Sequence, residues 1–112
     1  MHPEPRAMSA HEAKFRVGQL VRHKLFDYRG VVFDADPIFL GTEQWYEQVA
    51  RSRPPRDRPW YHVLVHDAIH TTYVAERNLE PDFELAPIRH PQIGDYFSAL
   101  GDDGYIPTLR RN

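Results

Sequence analysis

Apolar and polar residues first alternate regularly after Val17-Gly18, where a tight turn leads into Leu20-Val21-Arg22-His23. Leu20 and Arg22 alternate with Val21 and His23, the two-residue period of a short β-strand. Asp27-Tyr28-Arg29-Gly30 reads as a turn, and Gly30-Val31-Val32-Phe33-Asp34 as a second strand rich in β-branched and aromatic residues. Asp36-Pro37 ends it, because proline has no N–H for the ladder. From Gly41 to Arg51 the period becomes helical. Trp45, Tyr46, Val49 and Ala50 share one face, Thr42 suits the N-cap, and Glu43 sits near the positive end of the dipole. Pro54-Pro55 stops that helix. Trp60 to His66 is apolar on both faces, which predicts a central strand. Asp67-Ala68 turns into a fourth strand at Thr71–Val74. Ala75–Asn78 reads as one helical turn, with Asn78 suited to its end, and Leu79-Glu80 as a brief pairing before Pro81.

Short strands at close spacing, with one helical turn before the last, predict a mainly β fold: a small SH3-like β-barrel with a short helical insertion. Residues 1–13 carry two prolines and no apolar period, and read as a flexible tail. Residues 14–81 form the expected barrel, and 82–112 an irregular C-terminal extension. Ile88, Ile93, Tyr96, Phe97, Leu100 and Tyr105 make the extension too apolar for a free tail, so it is expected to pack on the barrel. Within it, Ile93–Leu100 reads as a short helix and Asp103-Gly104 as a turn.

Composition narrows the function classes. The 112 residues, 41% hydrophobic and 27% charged, suit one domain with a modest core. The absence of cysteine removes disulfides, thiolate nucleophiles and cysteine-based metal sites. No basic-then-apolar leader and no apolar run of membrane-spanning length is visible, so the expectation is a cytoplasmic protein without a membrane partner. A net charge of −2 argues against a generic polyanion binder. The charge is uneven, however. Residues 1–60 hold ten Lys/Arg against eight Asp/Glu, and residues 61–112 four against eight, which allows a local basic face.

Candidate chemistry is sparse. His62, His66 and His70 recur every four residues, with His23 as a further imidazole. On a strand, residues four apart lie roughly 13 Å from one another, too far for one metal, so these histidines read as polar-face and turn residues. Asp34 and Asp36 are placed to share a face like an acid/base pair, yet sit at a strand end where aspartate commonly bonds its own backbone. Ser9, Ser52 and Ser98 lack a nucleophile setting, and the glycines form no phosphate-binding loop. No catalytic residue, metal or cofactor is therefore expected, and an enzyme would need His23, His62 and Asp34 to converge in a deep pocket. Binding remains. Arg22, Lys24 and Arg29 flank Tyr28, and Arg53 and Arg56 decorate the Pro-rich loop; these five cations are candidate phosphate contacts. Tyr28, Arg29 and Trp45 are candidate anchors for a protein partner, with Trp60 as another aromatic of that kind.

Three ordered motifs carry a family resemblance. They are Val17-Gly18 with Val21-Arg22-His23 and Tyr28-Arg29-Gly30-Val31-Val32, then Pro59-Trp60-Tyr61-His62-Val63-Leu64-Val65, then Thr72-Tyr73-Val74-Ala75-Glu76-Arg77-Asn78-Leu79. Over residues 15–80 the chain resembles the YccV-like, or HspQ, family, and the ending from His90-Pro91 to Tyr105-Ile106-Pro107 resembles a tail found in some members. The resemblance implies an SH3-like barrel without enzymatic activity. It also implies a self-associating cytoplasmic heat-shock protein that binds hemimethylated DNA and helps the Lon-type ATP-dependent protease degrade clients, including the replication initiator. This chain departs from the pattern at Asp27, where many relatives have glycine, and a negative charge there weakens the DNA reading of the turn.

Overall fold

A computed structural model of the chain describes residues 12–108. The expected tail at residues 1–13 falls almost wholly outside that range. The described part is mainly β. Strands β1 (Leu20–His23), β2 (Arg29–Asp36), β3 (Trp60–Val65), β4 (Thr71–Ala75) and β5 (Leu79–Pro81) form one antiparallel sheet in the order β4-β3-β2-β1-β5. A short helix α1 (Glu43–Val49) lies between β2 and β3, and a single 3₁₀ turn (Glu76–Asn78) joins β4 to β5. Helix α2 (Ile93–Tyr96) precedes a hairpin of β6 (Phe97–Gly101) and β7 (Gly104–Pro107). The hydrogen-bonded order is open: β4 and β5 are its two edges and do not pair with each other.

The sheet buries both faces. Tyr61 and Val63 of β3, Val74 of β4, Val32 of β2, Val21 of β1 and Leu79 of β5 form an inner core closed by Phe15. Strands from both edges thus contribute to one core, so the sheet curls around it. The outer face is divided. Near one end, Leu20, Val31 and Leu64 pack against Ile88, Phe97 and Tyr105 of the C-terminal segment. Near the other, Trp60, Ala75 and half-buried Tyr73 pack against Tyr46, Ala50 and Trp45 on and after α1. β3 contributes to all three clusters, which explains its run of apolar residues on both faces; it is an interior strand, with β2 at the sheet's centre.

Local chemistry sets the connections. Thr42 caps α1, its Oγ1 accepting the Trp45 N–H at 3.0 Å. Gly18 adopts φ +96°, and an ideal Cβ there would overlap the Tyr105 carbonyl oxygen. Glycine at this position lets the β7 segment approach, with the Tyr105 N–H donating to the Gly18 carbonyl at 2.8 Å.

Two expected elements differ. The β1–β2 turn lies at Lys24–Phe26, ahead of the expected Asp27–Gly30, and Arg29 and Gly30 already belong to β2. The cause is His23. Its buried ring accepts the N–H groups of both Leu25 and Phe26 on Nδ1, each at 3.1 Å, and so closes the turn early. The helix expected over Ile93–Leu100 stops at Tyr96. From Phe97 the chain instead pairs with Gly104–Pro107, which the Asp102-Asp103 turn brings back alongside, and the Phe97 and Tyr105 rings pack 5.3 Å apart.

Candidate functional site

Four of the five cations proposed for phosphate contact are engaged by carboxylates. Arg22 and Arg29 face each other across the β1–β2 register, a like-charge pair that is unfavourable when left uncompensated. Acids relieve it. Arg22 Nη1 donates to Asp27 Oδ1 at 3.0 Å and its Nη2 lies 3.9 Å from Asp82 Oδ1, while Arg29 Nε donates to Asp82 Oδ2 at 2.6 Å. Arg29 Nη2 adds a bond to the Ala86 carbonyl at 2.6 Å. Arg29 is therefore a clamp on the segment that follows β5. Asp27 draws the Arg22 guanidinium onto itself and raises its pKa, chiefly through that hydrogen bond.

The loop arginines are held in the same way. Arg56 makes a bidentate pair with Glu43, at 2.6 and 2.9 Å, and stacks 3.8 Å from the Tyr46 ring centre. Arg53 donates to Glu47 at 2.9 Å. These acids lower the charge available to a phosphate, and the Arg56 pairing holds the Glu43 carboxyl below its ordinary pKa. Lys24 is different: it is exposed, and no carboxylate lies within ion-pair distance among the described residues. Arg51, at the start of the arginine-bearing loop, is also exposed, with no carboxylate in ion-pair distance among the described residues.

Tyr28 and Arg29 do not form one surface. Neighbours in an extended chain point to opposite sides. Arg29 reaches the C-terminal segment, whereas Tyr28 packs on the inner core and its hydroxyl meets Thr72 Oγ1 of β4 at 2.7 Å. Burial raises the Tyr28 pKa.

Tyr28 and Trp45, by contrast, are brought together. They line a single groove of about 540 Å³ that follows β4. One wall is the β1–β2 turn, with His23, Leu25, Phe26 and Tyr28. The other is α1 and the loop after it, with Trp45, Val49, Ala50, Arg51, Ser52 and Pro54. All five residues of β4 take part, with Trp60 and His62 beneath. The groove's exposed apolar groups are unusual for a water-facing surface: Phe26 is 73% exposed, Leu25 58% and Val49 52%. Its lining includes no carboxylate and one arginine, Arg51. Trp60 itself is core, its indole N–H donating to the Pro55 carbonyl at 3.0 Å.

The histidines separate into different roles. His62 Nε2 lies 3.1 Å from Asp36 Oδ2, which also accepts the Tyr73 hydroxyl at 2.7 Å. Burial, together with the bond to Asp36, pushes the Tyr73 pKa up to about 12. His66 Nδ1 accepts the Arg89 N–H at 2.9 Å, and the His70 carbonyl meets His90 Nε2 at 3.0 Å. No common ligand set joins His62, His66 and His70. A β-bulge between Val32 and Asp34 does bring Asp34 beside His62, so that Asp34, Asp36 and His62 offer three ligand atoms within 4.8 Å of one another. Asp36 is already bonded to His62 and Tyr73, and Asp34 to the N–H of Ala35 at 2.9 Å. His23 and His62 do line the same groove, but Asp34 is not part of it.

The groove was hidden from sequence reasoning because its lining runs from His23 to Asn78 across several elements. The one available signal was the apolar pair Leu25-Phe26 in an otherwise polar turn. No helix among the described residues is long and apolar enough to cross a membrane. A family model described as hemimethylated DNA-binding protein YccV-like matches residues 13–104, which takes in the curled sheet, the groove and most of the C-terminal hairpin. By that match the chain belongs to the YccV-like family.

Proposed function

We propose that this chain is a non-enzymatic adaptor that binds client proteins and promotes their degradation by a Lon-type ATP-dependent protease. The observation that carries the reading is the groove: exposed Leu25, Phe26 and Val49 flank half-buried Tyr28, Trp45 and Tyr73, with no carboxylate in the lining. A concave apolar surface of this kind suits a protein partner, since buried aromatic anchors supply most binding energy at interfaces. The family resemblance adds a stress-induced, self-associating protein of the cytoplasm. The curl of the sheet around one core supports the SH3-like barrel that the resemblance implies. The test is degradation of a model client by purified Lon-type protease with and without this protein. An accelerated rate is expected, and an unchanged rate overturns the reading.

The family description supplies a second reading, binding of hemimethylated DNA. Arg51 in the groove and Lys24 in the adjoining turn, neither with a carboxylate partner among the described residues, are the residues to carry it. Weak binding that declines with salt is expected, because few phosphates are neutralised. Equal affinity for hemimethylated and unmethylated duplexes at moderate salt contradicts it.

A further inference from the structure

We propose that the free edge of β4 is a slot for one added strand, and that its occupant is an extended apolar segment of a client carrying an acidic residue. The inference rests on the client-binding reading above and names how that binding is made.

The ladder phase shows which backbone groups are free. The Glu76 N–H donates to the Pro59 carbonyl at 3.1 Å, and Trp60 is registered with Ala75. In an antiparallel pair, hydrogen-bonded and non-bonded positions alternate. Val74 and Thr72 therefore bond β3, while the N–H and C=O groups of Thr71 and Tyr73 and the N–H of Ala75 point away from it; the Ala75 carbonyl opens the 3₁₀ turn. Among the described residues no hydrogen bond reaches those outward groups. Unpaired edges of this kind pair readily with another chain, and proteins usually cover or charge them. Here the edge carries no charged residue. It lies instead along an apolar groove, with Phe26, Leu25 and Tyr28 on one side and Trp45 and Val49 on the other.

The groove holds residues from both faces of β4: Val74 belongs to the inner core, and Tyr73 and Ala75 to the outer cluster. A strand added at this edge would place alternate side chains against the two walls, the arrangement of peptide recognition by strand addition. Charge selects the sequence. Arg51 is in the lining, Lys24 stands beside Leu25 in the turn, and the lining has no acid. A segment bearing Asp or Glu next to its apolar residues is complementary to these cations.

The test uses the full chain and a fluorescein-labelled peptide, Ser-Ile-Val-Phe-Val-Asp-Glu, read by anisotropy. Thr71→Pro removes one outward N–H without touching the β3 ladder and is expected to weaken binding about five- to tenfold. Arg51→Glu is expected to weaken the same peptide and to favour one ending Lys-Lys. Independently of any variant's folding, methylating alternate amides of the peptide is expected to abolish binding to the unaltered protein. Full binding of the methylated peptides in both phases, or by folded Thr71→Pro, overturns the proposal. So does β4 amide protection that rises with protein concentration without peptide, which assigns the edge to a second copy, or displacement of the peptide by a duplex oligonucleotide. If the methylated peptides bind yet client degradation is accelerated, the slot fails and the adaptor reading stands. Binding at β4 with an unchanged degradation rate gives the reverse.

Discussion

Arg29 Nε and Asp82 Oδ2 meet at 2.6 Å, with the two side chains only 11% and 6% exposed. This pair joins the start of β2 to the segment that leaves the sheet after β5. It turns a residue that resembles a surface contact into an internal brace. Glu84 Oε1 lies 3.4 Å from the same Nε, and the Ala86 carbonyl accepts from Nη2, which fixes the path toward Ile88, buried in the outer core.

Arg29→Ala leaves the Asp82 carboxylate buried without its main partner. Breaking such a pair costs far more than an exposed ion pair contributes, about 3 kcal/mol. Chemical denaturation should show that loss for Arg29→Ala and less than 1 kcal/mol for Arg53→Ala, whose pair with Glu47 is exposed on both sides. Equal small losses would contradict the role given to Arg29.

His23 makes stability depend on pH. Burial holds its imidazole below the ordinary value of 6.5, and its Nδ1 must stay unprotonated to accept the Leu25 and Phe26 N–H groups. Below pH 6.5 the unfolded chain binds a proton that the folded chain resists. The His23 contribution is therefore complete above pH 6.5 and is lost as the pH falls toward the depressed folded value. Thermal melts across pH 7.5 to 5 should show Tm falling on the acid side, with a shallower fall in His23→Gln. Identical slopes would count against this assignment.

The paired and unpaired cations give opposite expectations for DNA. Lys24→Ala and Arg51→Ala should each weaken duplex binding and reduce the salt slope by about one. Arg53→Ala and Arg56→Ala should change neither by much, since Glu47 and Glu43 already hold those groups. Filter binding at several salt concentrations separates the two sets, and a loss confined to the loop arginines would reverse the assignment.

Sequence patterning captured what depends on near neighbours. The bounds of β1, the strand at Trp60, the Thr42 cap and the helical turn before Leu79 follow from alternation and capping within a few residues. It missed what depends on distant partners. Phe97–Gly101 becomes a strand because Gly104–Pro107 returns beside it. The β1–β2 turn moves because one histidine ring serves two backbone amides, a use of histidine with no sequence signature. The arginines looked available because their acids are remote in several cases: Asp82 is 53 positions from Arg29, and Glu43 is 13 from Arg56. Tyr28 and Trp45 were both singled out, but only the curl of the sheet sets them on the walls of one groove.

The proposed role requires that this groove receive clients for proteolysis. The direct measurement is the degradation rate of a fluorescent unfolded client by purified Lon-type protease, with the unaltered protein and with a Phe26→Ser, Val49→Ser variant. Both side chains are mostly exposed, so circular dichroism should show the fold retained. Acceleration by the unaltered protein and little or none by the variant is expected. Equal acceleration by both, with the fold intact, would contradict it.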